Sequence, residues 1–229
     1  PRTSPWSRRV TSQAKYSVNP IIMTNSGTSM SSVIAGASSR AIVGPSVCTV
    51  YEVGTVKPVR LDGGAVRTYV DAFAGYDAVV TPSGSCAGSA RHQHAIVGRR
   101  AGETGSDPGL ASAVAAAAPT YELTEFLVDV LGVTDVGAYF PHTVTYHPTC
   151  HSLRMLGVGD RPLQLLREVR GLRLRELPAA DQCCGFGGTF CVKYPEISTR
   201  MVSDKTADIA DTGAGTVLAG DLGCLLNMA

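Results

Sequence analysis

Seven cysteines stand at positions 48, 86, 150, 183, 184, 191 and 224. An odd count without a signal peptide makes a poor disulfide framework. Cys183 and Cys184 are neighbours, and neighbours rarely suit a structural bridge. The expectation is therefore a reducing, cytoplasmic compartment with metal or redox chemistry. Cys150 lies in Tyr146-His147-Pro148-Thr149-Cys150-His151, and Cys183 and Cys184 precede Gly185. Cys150, the Cys183-Cys184 pair and Cys224 each follow a segment that reads as a strand. In a parallel sheet, residues just past the strands' carboxyl ends meet along one edge, where ligands bind. Four thiols from three distant segments can converge there, a set that suits soft metals: zinc, or iron in an iron–sulfur cluster.

Spacing separates these two. Structural zinc sites usually use paired C-x2-4-C knuckles, and this chain has none. Adjacent cysteines do not easily bind one tetrahedral ion, because the backbone between them is too short to relax both angles. A cluster offers several irons, so neighbouring thiolates can reach different ones. Gly185, Gly187 and Gly188 would let the backbone turn sharply beside an inorganic core. Plainer readings stay open. Cys224 alone could be a small buried hydrophobe, and Cys183–Cys184 could be a vicinal redox disulfide. Phe186-Gly187-Gly188 could be an ordinary turn; as a phosphate loop it lacks the lysine and the helix that should follow. His147 and His151 flank Cys150 and could donate hydrogen bonds to a cluster sulfur, shifting its potential. His92 and His94 are two apart on a helix and share no face. No Ser-His-Asp set, carboxylate dyad or nucleotide fingerprint occurs, which places any hydride chemistry on a partner.

The elements that must position these thiols read as α/β from about residue 65. Val66, Tyr69, Val70 and Phe73 recur at helical spacing, and Gly75 ends that helix. Strands are expected at 77–81, 143–147, 172–177 and 216–219. Helices are expected at 91–100 and 110–118, from an N-cap at Thr120 through Val130, from a cap at Asp160 with Pro162 in its first turn, and from Pro195 to a stop at Gly213. Strands alternating with helices imply a parallel sheet with helices on its faces. An internal repeat also shows: the run from Val79 to Cys86 resembles the run from Val217 to Cys224, each an apolar strand, a small turn and one cysteine, at an offset of 138.

Composition narrows the function classes. The 229 residues carry a net charge of +1, which argues against a nucleic-acid footprint. No run of about eighteen apolar residues occurs, so no membrane span is expected. The chain opens on Pro1 and has no Asp or Glu before Glu52, while Ser and Thr make up 16 of its first 50 residues. That segment reads as a fragment boundary, linker-like or aberrant sequence; its Arg-, Ser- and Thr-rich, acid-free composition is also that of a transit peptide. A short apolar run, 32–43, could be a strand.

From about residue 65 to the end, the chain resembles the CCG-domain (cysteine-rich domain) iron–sulfur proteins. The likeness is strongest to the branch serving lactate utilisation, and more distant to the iron–sulfur subunits of glycolate oxidase and heterodisulfide reductase. It is carried by Thr81-Pro82-Ser83-Gly84-Ser85-Cys86-Ala87-Gly88, by Tyr121 to Leu127, by Thr145 to His151, and by Cys183-Cys184-Gly185-Phe186-Gly187-Gly188-Thr189-Phe190. The family repeat runs Cys, CCG, Cys and occurs twice. The resemblance implies two pseudo-repeated α/β units with parallel sheets flanked by helices. Residues 1–64 would be unmatched and poorly ordered, 65–135 a remnant of the first unit, and 136–229 the complete second unit. It implies Cys150, Cys183, Cys184 and Cys224 as ligands of a cluster, of the 4Fe-4S type, with Cys86 a doubtful survivor of the first repeat. Projecting back from Cys86 puts the missing elements near Ser12 and Pro45; Cys48 lies close but has no partner and no glycine. The terminal C-x-x-C of relatives is replaced by Cys224-Leu225-Leu226-Asn227, and Cys191 has no place in the pattern and reads as an incidental core residue.

Two function classes follow. The first is an electron-transfer subunit of an L-lactate (2-hydroxy acid) oxidising complex, partnered by a ferredoxin-like iron–sulfur subunit and other lactate-utilisation subunits. The second is a cluster-free or zinc-stabilised α/β scaffold. The broken first repeat also implies that Val66, Val70, Phe73, Val79 and Val80 are left uncovered.

Overall fold

The computed structural model describes residues 63–229 and, for the backbone only, the strand Ala41–Val43. Two three-stranded parallel sheets carry the architecture. In the first, β1 (Ala41–Val43), β2 (Ala78–Thr81) and β3 (Thr120–Glu122) lie in that order. In the second, β4 (Thr143–His147) is central between β5 (Arg173–Arg175) and β6 (Thr216–Ala219). The fold is α/β, as the alternation of strand and helix requires.

Helices α1 (Gly64–Ala72), α2 (Gly84–Gly88), α3 (His94–Glu103), α4 (Leu110–Ala116) and α5 (Leu123–Glu125) belong to the first half. The second half has α6 (Arg161–Arg167), α7 (Phe190–Lys193), α8 (Pro195–Asp211) and α9 (Leu222–Met228). Single π-helical turns extend α2 and α5, at Ser89–Gln93 and Phe126–Val130, and a third, His151–Leu156, follows Cys150. The helix expected over 91–100 is thus a π turn running into α3.

The first unit is better covered than its sequence suggests. Val66, Val70, Val79 and Val80 are all buried, which corrects the expectation that they expose apolar faces. Val66 packs with Ala101 of α3 and Leu110 of α4, while Ala78 and Val80 pack with Phe126. Contacts local to residues 64–131 therefore supply the cover. On the other side, β1 pairs with β2 in parallel register, Ala41 opposite Ala78 and Val43 opposite Val80. Part of the segment before residue 65 does join this sheet, within the apolar run marked as a possible strand. The rest of that segment lies outside the described residues, with Ser12, Pro45, Cys48 and the transit-peptide reading.

Two helix starts differ from expectation. Thr120 is not an N-cap: it is β-branched and buried, pairs with Val79, and its hydroxyl shares a 2.7 Å hydrogen bond with the Tyr69 hydroxyl. The cap is Glu122, whose Oε2 accepts from the Thr124 and Glu125 amides at 2.8 and 3.3 Å, while Glu125 Oε2 accepts from the Glu122 amide at 3.1 Å. Asp160 sits at the start of α6 but makes no side-chain cap; its carboxylate pairs instead with Arg167 at 3.0 Å. Pro162 does occupy the first turn, and Gly213, at φ +65°, follows the end of α8.

The 138-residue repeat is real locally. β2 leads through N-cap Ser83 into α2 with Cys86; β6 leads through N-cap Asp221 into α9 with Cys224. Their sheet positions differ, β2 being central and β6 at an edge. The two equivalent caps touch: Ser83 Oγ and the Ser85 amide both donate to Asp221 Oδ2 at 3.0 Å, while Asp221 Oδ1 accepts from the Gly223 amide at 3.0 Å. The Gly84 amide donates to the Gly220 carbonyl at 3.0 Å. One carboxylate thus caps the helix bearing Cys224 and joins the two units. Asp221→Ala should lower stability by about 1–2 kcal/mol from the lost cap alone, and more because Ser83 Oγ is buried. Urea denaturation beside Ser85→Ala, which keeps the Ser85 amide and costs less, checks this.

Candidate metal centre

Each thiol is presented by an element end. Cys150 follows β4 across Pro148 and Thr149 and opens the π turn His151–Leu156. Thr149 takes φ +63°, a left-handed conformation rare for a β-branched residue, held by burial and by its hydroxyl donating to Ser152 Oγ at 3.1 Å. Cys183 and Cys184 lie in the loop between β5 and α7. Cys224 sits in the first turn of α9, just beyond β6. All three segments leave the carboxyl ends of strands in the second sheet.

The four sulfurs form one chain of contacts. Cys150 and Cys183 have their Sγ atoms 3.5 Å apart. Hydrogen bonds from Cys150 and then Cys184, aided by the Gly185 amide at 3.4 Å, hold the Cys183 thiol far below its ordinary range. Cys184 also bonds Cys224, whose thiol is lowered to about 6, with the nearby His147 ring adding to the effect against burial. Cys150 and Cys184 are correspondingly pushed up, each first by hydrogen bonding to Cys183. Cys150 and Cys184 thus act as donors, the single Cys184 S–H being shared between Cys183 and Cys224. Cys183 and Cys184 are free thiols, with no vicinal disulfide between them.

A second layer fixes the Cys183–Cys184 loop. Ser198 Oγ of α8 donates to the Gly185 carbonyl at 2.9 Å, and Asn227 Nδ2 of α9 donates to the Cys184 carbonyl at 2.9 Å. The fully buried Lys205 of α8 donates to the Ala179 carbonyl at 2.7 Å. Burial lowers its affinity for the proton, against the pull of Asp208 and Asp181. Sequence reasoning missed these three residues and Asp221. A signal was present: Ser198 and Lys205 are seven apart, hence on one helix face, and Asp221 precedes a helix start.

The loop's glycines provide the sharp turns expected of them. Gly185, Gly187 and Gly188 take φ +84°, +50° and +63°. A Cβ on Gly223 would collide with the Phe186 ring, so that glycine lets the loop lie against α9.

His147 ends β4, buried within reach of Cys184 and Cys224; one imidazole nitrogen and the two sulfurs lie within 4.8 Å of one another. Cys150 and Cys183 fall outside that mutual set. The donors therefore extend beyond the reach of one ion. Soft donors in that arrangement fit a polynuclear iron–sulfur group, while the inner three would also fit zinc. His151 is half-buried, and His92 and His94 lie in the first unit, His94 edge-on to Tyr69.

Cys86 and Cys191 stand apart from this group. Cys86 is half-buried on α2 and joins no described cluster of donors. Cys191 is also half-buried rather than in the core, and its thiol donates to the Gly188 carbonyl at 3.1 Å. Among the described residues no helix is long and apolar enough to cross a membrane.

Residues 144–229 match the cysteine-rich (CCG) domain, which defines the class of the thiol-bearing half. Similarity to known proteins extends further towards the amino terminus. Lactate utilization protein A of Geobacillus kaustophilus is 48% identical over 178 residues, covering 78% of this chain and 71% of that protein. Its namesake from Lysinibacillus sphaericus is 45% identical over 179 residues, covering 78% of this chain and 74% of that protein. The chain belongs to the lactate utilization protein A family. It spans 65% of the length of the Oceanobacillus iheyensis relative, to which it is 45% identical over 166 residues.

Proposed function

We propose that this chain is a cytoplasmic iron–sulfur electron-transfer subunit acting in L-lactate oxidation, with its centre in the unit spanning 136–229. Four thiols and a buried imidazole spread beyond the reach of one ion carry this reading. When bound, an iron–sulfur cluster takes up and releases single electrons at a potential set by ligands, hydrogen bonds and burial. Cys150, Cys183, Cys184 and Cys224 would hold it. The Gly185 amide would donate to the Cys183 sulfur, and Ser198, Lys205 and Asn227 would keep the loop from shifting as charge changes. The relatives' names supply lactate as the substrate of the system.

Anaerobic reconstitution with iron and sulfide tests this: the chain should turn brown and retain iron through gel filtration. A colourless product would reject it. The close set of His147, Cys184 and Cys224 favours one second reading, a zinc-stabilised scaffold, which would give a colourless protein retaining one zinc per chain.

No nucleotide or flavin fingerprint accompanies the thiols. The hydride of lactate must then be taken elsewhere, and the expected partners are a ferredoxin-like iron–sulfur subunit and other lactate-utilisation subunits. The reconstituted chain alone, given L-lactate and an artificial electron acceptor, should show no turnover. Steady oxidation under those conditions would overturn the assignment as an electron-transfer subunit.

A further inference from the structure

His147 is 1% exposed, and neither of its ring nitrogens has a hydrogen-bond partner among the described residues. Buried polar side-chain atoms are nearly always partnered, so two orphaned nitrogens on one ring need a physical reason. Cys184 and Cys224 sit beside the ring, their sulfurs within 4.8 Å of one of its nitrogens, yet neither meets that nitrogen in hydrogen-bonding geometry. Such a bond would in any case leave the second nitrogen unmet. A neutral imidazole offers a lone pair on one nitrogen, and a metal ion is the partner that a lone pair beside two cysteine sulfurs would take.

The distances allow it. With metal–sulfur bonds of about 2.3 Å and metal–nitrogen bonds of about 2.0 Å, the edges of a tetrahedral site are roughly 3.5–3.8 Å. The three donor atoms already lie within 4.8 Å of one another, so small side-chain rotations bring them onto one ion. The end of β4 fixes the ring, since Thr145 and Val144 before it are fully buried and β4 pairs on both sides.

We propose that His147 is a direct ligand of the centre, sharing one metal with Cys184 and Cys224, so that the centre is a mixed histidine–thiolate site. The inference rests on the metal centre proposed above. A neutral imidazole in place of a thiolate removes one negative charge from the ligand shell and so raises the reduction potential, as histidine ligation does in other iron–sulfur centres.

Pulsed EPR on the full chain, reconstituted with iron and sulfide and reduced with dithionite, tests this. Wild-type protein should show the strong coupling of an iron-bound nitrogen, and labelling with 15N-histidine should change its pattern. His147→Cys should keep its iron, lose the nitrogen coupling and shift to a lower midpoint potential. His151→Gln, at the other histidine beside Cys150, should keep the coupling. Iron-loaded wild type without histidine coupling would overturn the inference alone, as would coupling that survives in His147→Cys. Should His147→Cys fail to fold, the labelled wild type together with His151→Gln still decides the matter. A chain that takes up no iron would overturn the proposed function and this inference with it.

Discussion

Cys183→Ser and Cys224→Ser should each lose most of the iron bound on anaerobic reconstitution, whereas Cys191→Ser should lose none. Cys183 is the hub of the sulfur chain: it receives from Cys150, Cys184 and the Gly185 amide, and these bonds lower its thiol. Serine at 183 would place a hydroxyl, which stays protonated at neutral pH and is a hard donor, where a soft thiolate is needed. Cys224, lowered to about 6 by its bond from Cys184, offers a second soft donor at the opposite end of the chain of contacts. Cys191 bonds only its own loop, at the Gly188 carbonyl, and serine can replace that donor. Iron counted per chain, alongside circular dichroism to show that each variant folds, separates ligation from packing. Equal iron loss in all three variants would mean that the cysteines act through packing.

Gly185→Ala should be the most damaging single methyl addition in the second unit. Gly185 has φ +84°, and a Cβ there would stand 2.7 Å from the Ser198 carbonyl oxygen and 3.0 Å from Met201 Cβ. Left-handed backbone costs about 1–3 kcal/mol for a residue with a side chain. Overpacking against helix backbone adds about 1–3 kcal/mol more. The obstacle is backbone rather than the far end of a flexible side chain, so the loop itself must move. That movement would pull on the Ser198 hydrogen bond to the Gly185 carbonyl and displace Cys183 and Cys184. The melting temperature should fall by roughly 4 °C or more, at about 2–4 °C per kcal/mol for a chain this size, and bound iron should fall with it. Gly188→Ala supplies the comparison. Its φ of +63° carries the same strain, but nothing lies within 4 Å of its Cβ position. It should show the smaller loss, confined to backbone strain. A Gly188→Ala variant as damaged as Gly185→Ala would mean that the clash with α8 contributes nothing.

Much of the site was legible in the residues because its chemistry is local. A thiol just past a strand end is visible in β4 and Cys150, and in β6 and Cys224. The vicinal pair with its glycines announces a loop that must turn sharply. The strands 143–147 and 216–219 could be bounded to the residue because runs of β-branched, aromatic and apolar residues there end in Pro148 and Gly220. Helix starts were harder. Thr120 has both a capping hydroxyl and a β-branched carbon, and only its pairing with Val79 decides in favour of the strand. Likewise Asp160 can cap or pair, and Arg167 one helix length away settles it.

The sequence by itself determined the thiols, their order and the parallel α/β arrangement that gathers them, because all three follow from residue identity and periodicity along the chain. Only tertiary structure decided what lies across from what. Val66 and Val80 are covered because α3, α4 and the Phe126 turn fold back over them. Asp221 meets Ser83 and Ser85 because equivalent ends of two units face each other. Lys205 reaches the Ala179 carbonyl because α8 runs behind the thiol loop. His147 comes to lie beside Cys184 and Cys224, residues 37 and 77 positions later in the chain, since 184 − 147 is 37 and 224 − 147 is 77. Contacts at such separations depend on how whole elements pack, and no local pattern of residue types encodes them.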